Sequence, residues 1–271
     1  MEPTLAWLED PTVFRVNRLD AHSDHVTYLD IQELAAGKTS LRQSLDGLWR
    51  FRWSENPESR PADFWKPDFD DSDFDTIQVP GHMETQGYDQ IQYINKLYDW
   101  DGHAELRPPH IDWRHDPVGS YVTCFDLEET LLEHPVCISF QGVEQAMYVW
   151  LNGHFVGYSE DSFTPSEFDL SPYIHPTGNR LCVEVYKRSS AAWLEDQDFF
   201  SFSGIFRSVY LYAKTKCYVE DLWLNACLAP DNQTGTLRLR LKFAQTAVPK
   251  VHLFLGLSLI HISEPTRPIS I

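Results

Sequence analysis

The residue types best suited to chemistry lie in two stretches. In residues 194–200 (LEDQDFF), Glu195, Asp196 and Asp198 stand among Trp193, Phe199, Phe200 and Phe202. A carboxylate accepts hydrogen bonds from hydroxyls while an aromatic ring covers the apolar face of a pyranose, the combination a sugar pocket needs. One reading is a sugar or cation site; the other is an ordinary turn at a strand end. Paired carboxylates also do glycosidase acid/base work, but adjacency in sequence says nothing about separation across a glycosidic bond. The second stretch, 79–84 (VPGHME), leads through 87–89 (GYD) to 93–98 (YINKLY). Pro80 and Gly81 mark a loop, and Asn95 is a short amide that suits a hydroxyl ligand or a turn.

Other constellations do not assemble. There is no G-x-S-x-G elbow, no phosphate loop ending GK[ST], and no H-E-x-x-H pair. His103, His110 and His115 share a polar segment with Asp101, Asp112 and Asp116 at spacings that match no standard metal site, and read as a solvated loop. The acidic run 69–74 fails as a calcium loop, because Asp73 stands where Gly is needed and Val79 where a bidentate Glu is needed. The 5 Cys (124, 137, 182, 217 and 227) are odd in number, irregularly spaced and without C-x-x-C, so they are expected to be reduced, buried thiols.

Strands must position these residues. Residues 49–53 (WRFRW) alternate aromatic and basic, the pattern of a strand with one buried face. Residues 121–127, 180–186 and 208–212 alternate likewise, whereas 136–140 are almost continuously apolar, as in a strand buried on both faces. Two apolar runs flank Asn152-Gly153, a hairpin signal, because both residues accept positive φ in a type I′ turn. Helix signals are confined to a turn or two at 6–8 and 31–36, so residues 1–39 read as an extended arm. Short strands with turn residues between them predict an all-β sandwich of jelly-roll type over 40–214. A second set of strands begins beyond Lys214, but 215–256 are too few for an immunoglobulin-like sandwich of roughly 100 residues.

The charge balance, 22 Lys+Arg against 40 Asp+Glu, gives a net charge of −18. Nucleic-acid and anionic-membrane surfaces need clustered basic charge, so neither is an expected partner. No stretch approaches the roughly 18–20 apolar residues of a membrane span. The first ten residues, MEPTLAWLED, show neither a basic nor a long apolar leader region, so a cytoplasmic location is expected.

The pieces FRVNRL (14–19), SLDGLWRF (44–51), VPGHM (79–83), GYD (87–89), PVGSY (117–121), WLNGHFVGYS (150–159), PSEFDL (165–170), LEDQD (194–198) and SGIFR (203–207) occur in this order. Together they resemble the amino-terminal part of glycoside hydrolase family 2, most closely the long bacterial β-galactosidases. LEDQD and SGIFR point to that branch rather than to β-glucuronidases. The resemblance implies a galactose-binding-type jelly roll over 40–214, followed by the start of an immunoglobulin-like domain over 215–256. It implies that Asn95 lies close to the sugar and that Asp198 binds the galactosyl unit and a sodium ion. Asn95-Lys96-Leu97-Tyr98 departs from the family's more usual Asn-Val-Thr-Tyr-Pro. The parent would hydrolyse terminal β-D-galactosides with retention, using two glutamates and magnesium ligands of a barrel that the chain does not contain; no glutamate here is assigned, and the chain is expected to be inactive alone. The parent is expected to be oligomeric. A stand-alone carbohydrate-binding module or another family 2 glycosidase, such as a β-glucuronidase, is the alternative. Residues 257–267 (LSLIHISEPTR) resemble a translated sequencing-library adapter, so 257–271 are expected to be non-native.

Overall fold

The computed structural model describes residues 2–95, 98, 100, 101, 105–195 and 198–244. The elements in chain order are β1 (Arg15–Val16), α1 (Ile31–Ala36), β2 (Arg42–Ser44), β3 (Gly47–Ser54), β4 (Asp75–Val79), β5 (Gln92–Ile94), β6 (Val118–Phe125), β7 (Val136–Phe140), β8 (Ala146–Leu151), β9 (His154–Ser159), β10 (Ser166–Asp169), β11 (Asn179–Tyr186), β12 (Phe199–Ser201), β13 (Val209–Ala213), β14 (Val219–Leu228) and β15 (Gly235–Phe243). Short 3-10 turns join several of them, including Leu5–Glu9 and Ser190–Trp193. The chain is all-β, as the strand spacing predicts.

It divides into two compact units, Met1–Thr215 and Lys216–Ile271. In the first, seven antiparallel strands run in the order β1-β9-β8-β11-β6-β3-β4, and four run in the order β10-β7-β13-β2. The facing sides share one core, in which Trp49, Phe51 and Ile77 of the large sheet join Ile138, Phe140, Phe168 and Leu211 of the small one. Alternation puts every second side chain of a strand into this core, which makes the pair of sheets a sandwich. Gly157 lets the sheets close up: a Cβ there would lie 2.4 Å from the Phe168 ring. The predicted hairpin forms between β8 and β9, with Asn152 and Gly153 at φ 51° and 83°. Asn152 also locks the hairpin to the neighbouring turn, accepting from Arg180 N at 2.8 Å and donating to Tyr173 O at 2.8 Å.

Three expectations need correction. The 121–127 and 180–186 runs suggested strands with one buried face, yet β11 is buried along almost its whole length. Its Leu181, Val183 and Val185 enter the shared core, while Cys182 and Tyr186 enter a second cluster on the outer face of the large sheet. That outer face is covered by Trp7 and Leu8 of the arm and by Phe64 and Phe74 of the β3–β4 connection. The arm is therefore partly packed: Trp7 stacks on Tyr148 at 5.9 Å, and the Tyr148 hydroxyl donates to Thr4 O at 2.9 Å. The cysteines are free, but only Cys137 and Cys182 are buried; Cys124, Cys217 and Cys227 are exposed.

The described part of the second unit is the hairpin β14–β15. None of its residues in the two strands is buried. Residues 245–271, which include the expected adapter-derived tail, lie outside the described residues. No helix among the described residues is long and apolar enough to cross a membrane.

Candidate functional site

β5 and β12 form a separate two-stranded ribbon, with Phe199 opposite Ile94, Phe200 opposite Tyr93 and Ser201 opposite Gln92. Continuing this register by one step brings Asp198 opposite Asn95. The two residues singled out from sequence, 103 positions apart in the chain (198 minus 95), are therefore neighbours at one end of the ribbon, and both are exposed. The Tyr93 hydroxyl donates to Asp198 Oδ1 at 2.6 Å, and this bond, chiefly, raises the Tyr93 phenol above its usual range. Tyr93 was not singled out in the sequence. Its only signal is the i, i+2 spacing to Asn95, which becomes informative once the segment is known to be a strand.

Aromatic rings back the ribbon. Phe200 lies 5.3 Å from Tyr93 and 5.5 Å from Phe202, and Phe202 stacks on His82 at 4.5 Å. The far face of His82 meets Phe206 at 5.1 Å. Burial lowers the His82 pKa despite Glu84 nearby, so the imidazole serves here as a neutral aromatic spacer. On the other side of the segment, Trp193 packs on Trp100 at 4.5 Å and on Tyr98 at 4.6 Å, and its indole donates to His110 O at 3.0 Å.

Beneath the rings, buried charges fix the loops. The Lys187 ammonium donates to Glu84 Oε1 at 2.8 Å and to Asp89 Oδ2 at 2.7 Å. Glu84 in turn accepts from Ser203 N at 3.0 Å and from its hydroxyl at 2.7 Å. The 79–89 loop is thus tied to the strand end that follows β12. Arg188 reaches Gln92 Oε1 of β5 at 3.4 Å and also donates to the His115 carbonyl. Its backbone N–H donates to Asp116 Oδ1 at 2.8 Å.

The histidine–aspartate segment is only in part the solvated loop that its composition suggested: Asp101, His110 and His115 are exposed, and His103 lies outside the described residues. Asp116 is fully buried and Asp112 nearly so. Asp112 caps the 3-10 turn Trp113–His115 and accepts from His115 Nδ1 at 2.8 Å and from Arg114 Nε at 3.1 Å. Among the described residues no group of three or more His, Cys, Asp and Glu can hold a metal ion. Of the acidic LEDQD run, Glu195 turns inward and accepts from Ser162 N at 3.2 Å and Ser162 Oγ at 2.5 Å. Asp196 and Gln197 lie outside the described residues. Asp198 alone of the described carboxylates in that run is exposed.

Residues 42–215 match the family model described as glycosyl hydrolases family 2, sugar binding domain. The chain belongs to glycoside hydrolase family 2. Among family 2 relatives, it is 52% identical over 255 residues to a β-galactosidase of Clostridium acetobutylicum, covering 94% of this chain and 28% of that protein. It is 51% identical over 254 residues to a β-galactosidase large subunit of Leuconostoc lactis, covering 89% of this chain and 40% of that protein. The chain therefore spans between about a quarter and two fifths of the curated relatives it matches. Among solved structures, a β-glucuronidase of an uncultured Clostridium species aligns with TM-score 0.57 and 20% identity, covering 82% of this chain and 36% of that one. A Bifidobacterium dentium β-glucuronidase aligns with TM-score 0.55 at 20% identity, covering 76% of this chain and 37% of that one. At such identity the likeness concerns the fold.

Proposed function

We propose that this chain is the amino-terminal, sugar-binding part of a β-galactosidase that hydrolyses terminal non-reducing β-D-galactose by a retaining mechanism. The observation that carries the reading is the 52% identity to a β-galactosidase along 94% of the chain. The β-glucuronidase alternative rests on likeness near 20% identity, and a free-standing binding module has no observation in its favour.

In this reading Asp198 and Asn95 form one wall of the galactose site. An ionised carboxylate accepts from sugar hydroxyls, and an amide donates and accepts. Sodium is the ion that the resemblance attaches to Asp198. Hard cations take oxygen ligands, so the carboxylate fits, but it supplies one ligand only, and the others come from elsewhere in the parent. The retaining reaction needs an acid and a nucleophile roughly 5–5.5 Å apart, and both belong to the remainder of the parent. Four of the five buried glutamates among the described residues are engaged by neighbouring side chains: Glu84 by Lys187, Glu160 by Tyr158 and Ser190, Glu167 by His22 and Tyr212, and Glu184 by Arg60 and Tyr186. The 5 free cysteines support a reducing, cytoplasmic setting.

Two assays test the reading. The purified chain is expected to leave a nitrophenyl β-D-galactoside intact, and turnover would overturn the assignment of catalysis to the rest of the parent. Grafted in place of the matching segment of the Clostridium acetobutylicum β-galactosidase, the chain is expected to support hydrolysis of β-galactosides. A chimera that folds and cleaves only β-glucuronides would overturn the galactoside assignment.

A further inference from the structure

Alternation along the β5–β12 ribbon places the Tyr93 and Phe200 side chains on one face. The two are a directly opposed pair, and Asn95 and Asp198 lie just past the paired residues at the same end, Asn95 two positions after Tyr93 and Asp198 two positions before Phe200. The hydrogen bond from Tyr93 brings Asp198 beside this face. Both rings are open to solvent, Tyr93 at 55% and Phe200 at 46%, and among the described Phe, Tyr and Trp residues of this unit only Phe14 and Phe163 are also exposed. They are not loose, since Phe200 is backed by the Phe202–His82–Phe206 stack. The strand carrying Tyr93 is held through Gln92 by Arg188. A rigid aromatic surface next to an amide and a carboxylate matches the two sides of a pyranose, one of C–H bonds and one of hydroxyls. β-Galactose fits well, because its axial 4-hydroxyl leaves the hydrogens on C3, C4 and C5 on a single face.

We propose that Tyr93 and Phe200 form an aromatic platform for the C–H face of a β-galactopyranoside whose hydroxyls engage Asp198 and Asn95. This rests on the reading of Asp198 as a sugar-binding carboxylate. Tyr93 has two tasks: its ring extends the platform, and its hydroxyl orients Asp198.

Saturation-transfer NMR on the full chain tests the platform, with methyl β-D-galactopyranoside as probe and the β-glucoside, its C4 epimer, as control. Transfer is expected to concentrate on H3, H4 and H5 of the galactoside. Phe200→Leu and Tyr93→Leu are each expected to weaken binding about 2- to 10-fold, the range of one aromatic stacking contact. Tyr93→Phe keeps the ring and should keep the transfer pattern. Asp198→Asn should weaken binding while leaving the same protons in contact. Both rings are exposed, so the variants should fold, and far-UV circular dichroism checks this. Wild-type affinity in both Leu variants, with Asp198→Asn weakened, would overturn the platform and leave the Asp198 reading standing. Wild-type affinity in Asp198→Asn would overturn that reading and the shared site with it. Absence of transfer from the wild-type chain would overturn the platform.

Discussion

Glu160 and Asp116 are carboxyls held away from water. Burial pushes Glu160 up from 4.5 to about 7, although Tyr158 and Ser190 donate to it. Burial likewise pushes Asp116 from 3.8 to about 7 against the pull of Arg188, and its Oδ2 finds no partner. Each holds a proton in the folded chain at pH values where the unfolded chain has released it. Their contribution to stability is therefore complete at acid pH and is lost as pH rises through about 7. Asp112 acts in the opposite sense. Burial alone would raise it, but the hydrogen bonds from His115 and Arg114 prevail and hold it at about 2, so its contribution is lost as pH falls below 3.8. Stability by urea titration is expected to be greatest in mildly acid solution and to drop between pH 5 and pH 8, by on the order of 1–3 kcal/mol for each buried carboxyl. Glu160→Gln, which has no proton to lose, should flatten that slope. An unchanged slope would show that Glu160 titrates as it does in water.

At the scale of elements, the ribbon that carries Tyr93, Asn95 and Asp198 is short. Its strands have three residues each, too few to persist alone. It persists because the 79–89 loop and the chain after β12 converge on Lys187, whose side chain is almost fully buried beside Glu84. Removing one partner of a buried ion pair strands the other in a medium of low polarity. Lys187→Met is therefore expected to cost about 3–5 kcal/mol. It should also broaden the NMR signals of Tyr93 and Phe200, because Glu84 would no longer hold Ser203. A loss below about 1 kcal/mol would indicate a solvent-screened pair instead. The arm turn Leu5–Glu9 is a similar case of local structure held from outside: Thr4 caps it, and Trp7 and Leu8 are buried.

For the whole molecule, the two units differ in what they can bury. Residues 1–215 have cores on both faces of the large sheet, whereas the β14–β15 hairpin has none among the described residues. Leu224, Leu228 and Leu237 are exposed on it. Amides of 219–243 are expected to exchange with solvent orders of magnitude faster than those of β8 and β11, measured by hydrogen exchange. Equal protection would mean that the hairpin is covered. Much of the sandwich was legible beforehand. The Asn152-Gly153 turn, the doubly apolar 136–140 strand and the 31–36 helix depend on neighbours within a few residues, and local sterics and periodicity fix them. The sequence by itself determined the all-β class, the hairpin and, through the ordered pieces from FRVNRL to SGIFR, the family. Tertiary structure alone decided that 180–186 is buried on both faces, that Asp112 and Asp116 lie inside, and that Asn95, Tyr93, Asp198 and Phe200 meet at one end of a ribbon. Burial and proximity across about a hundred residues depend on which segments pack together, and local pattern carries no information about that pairing.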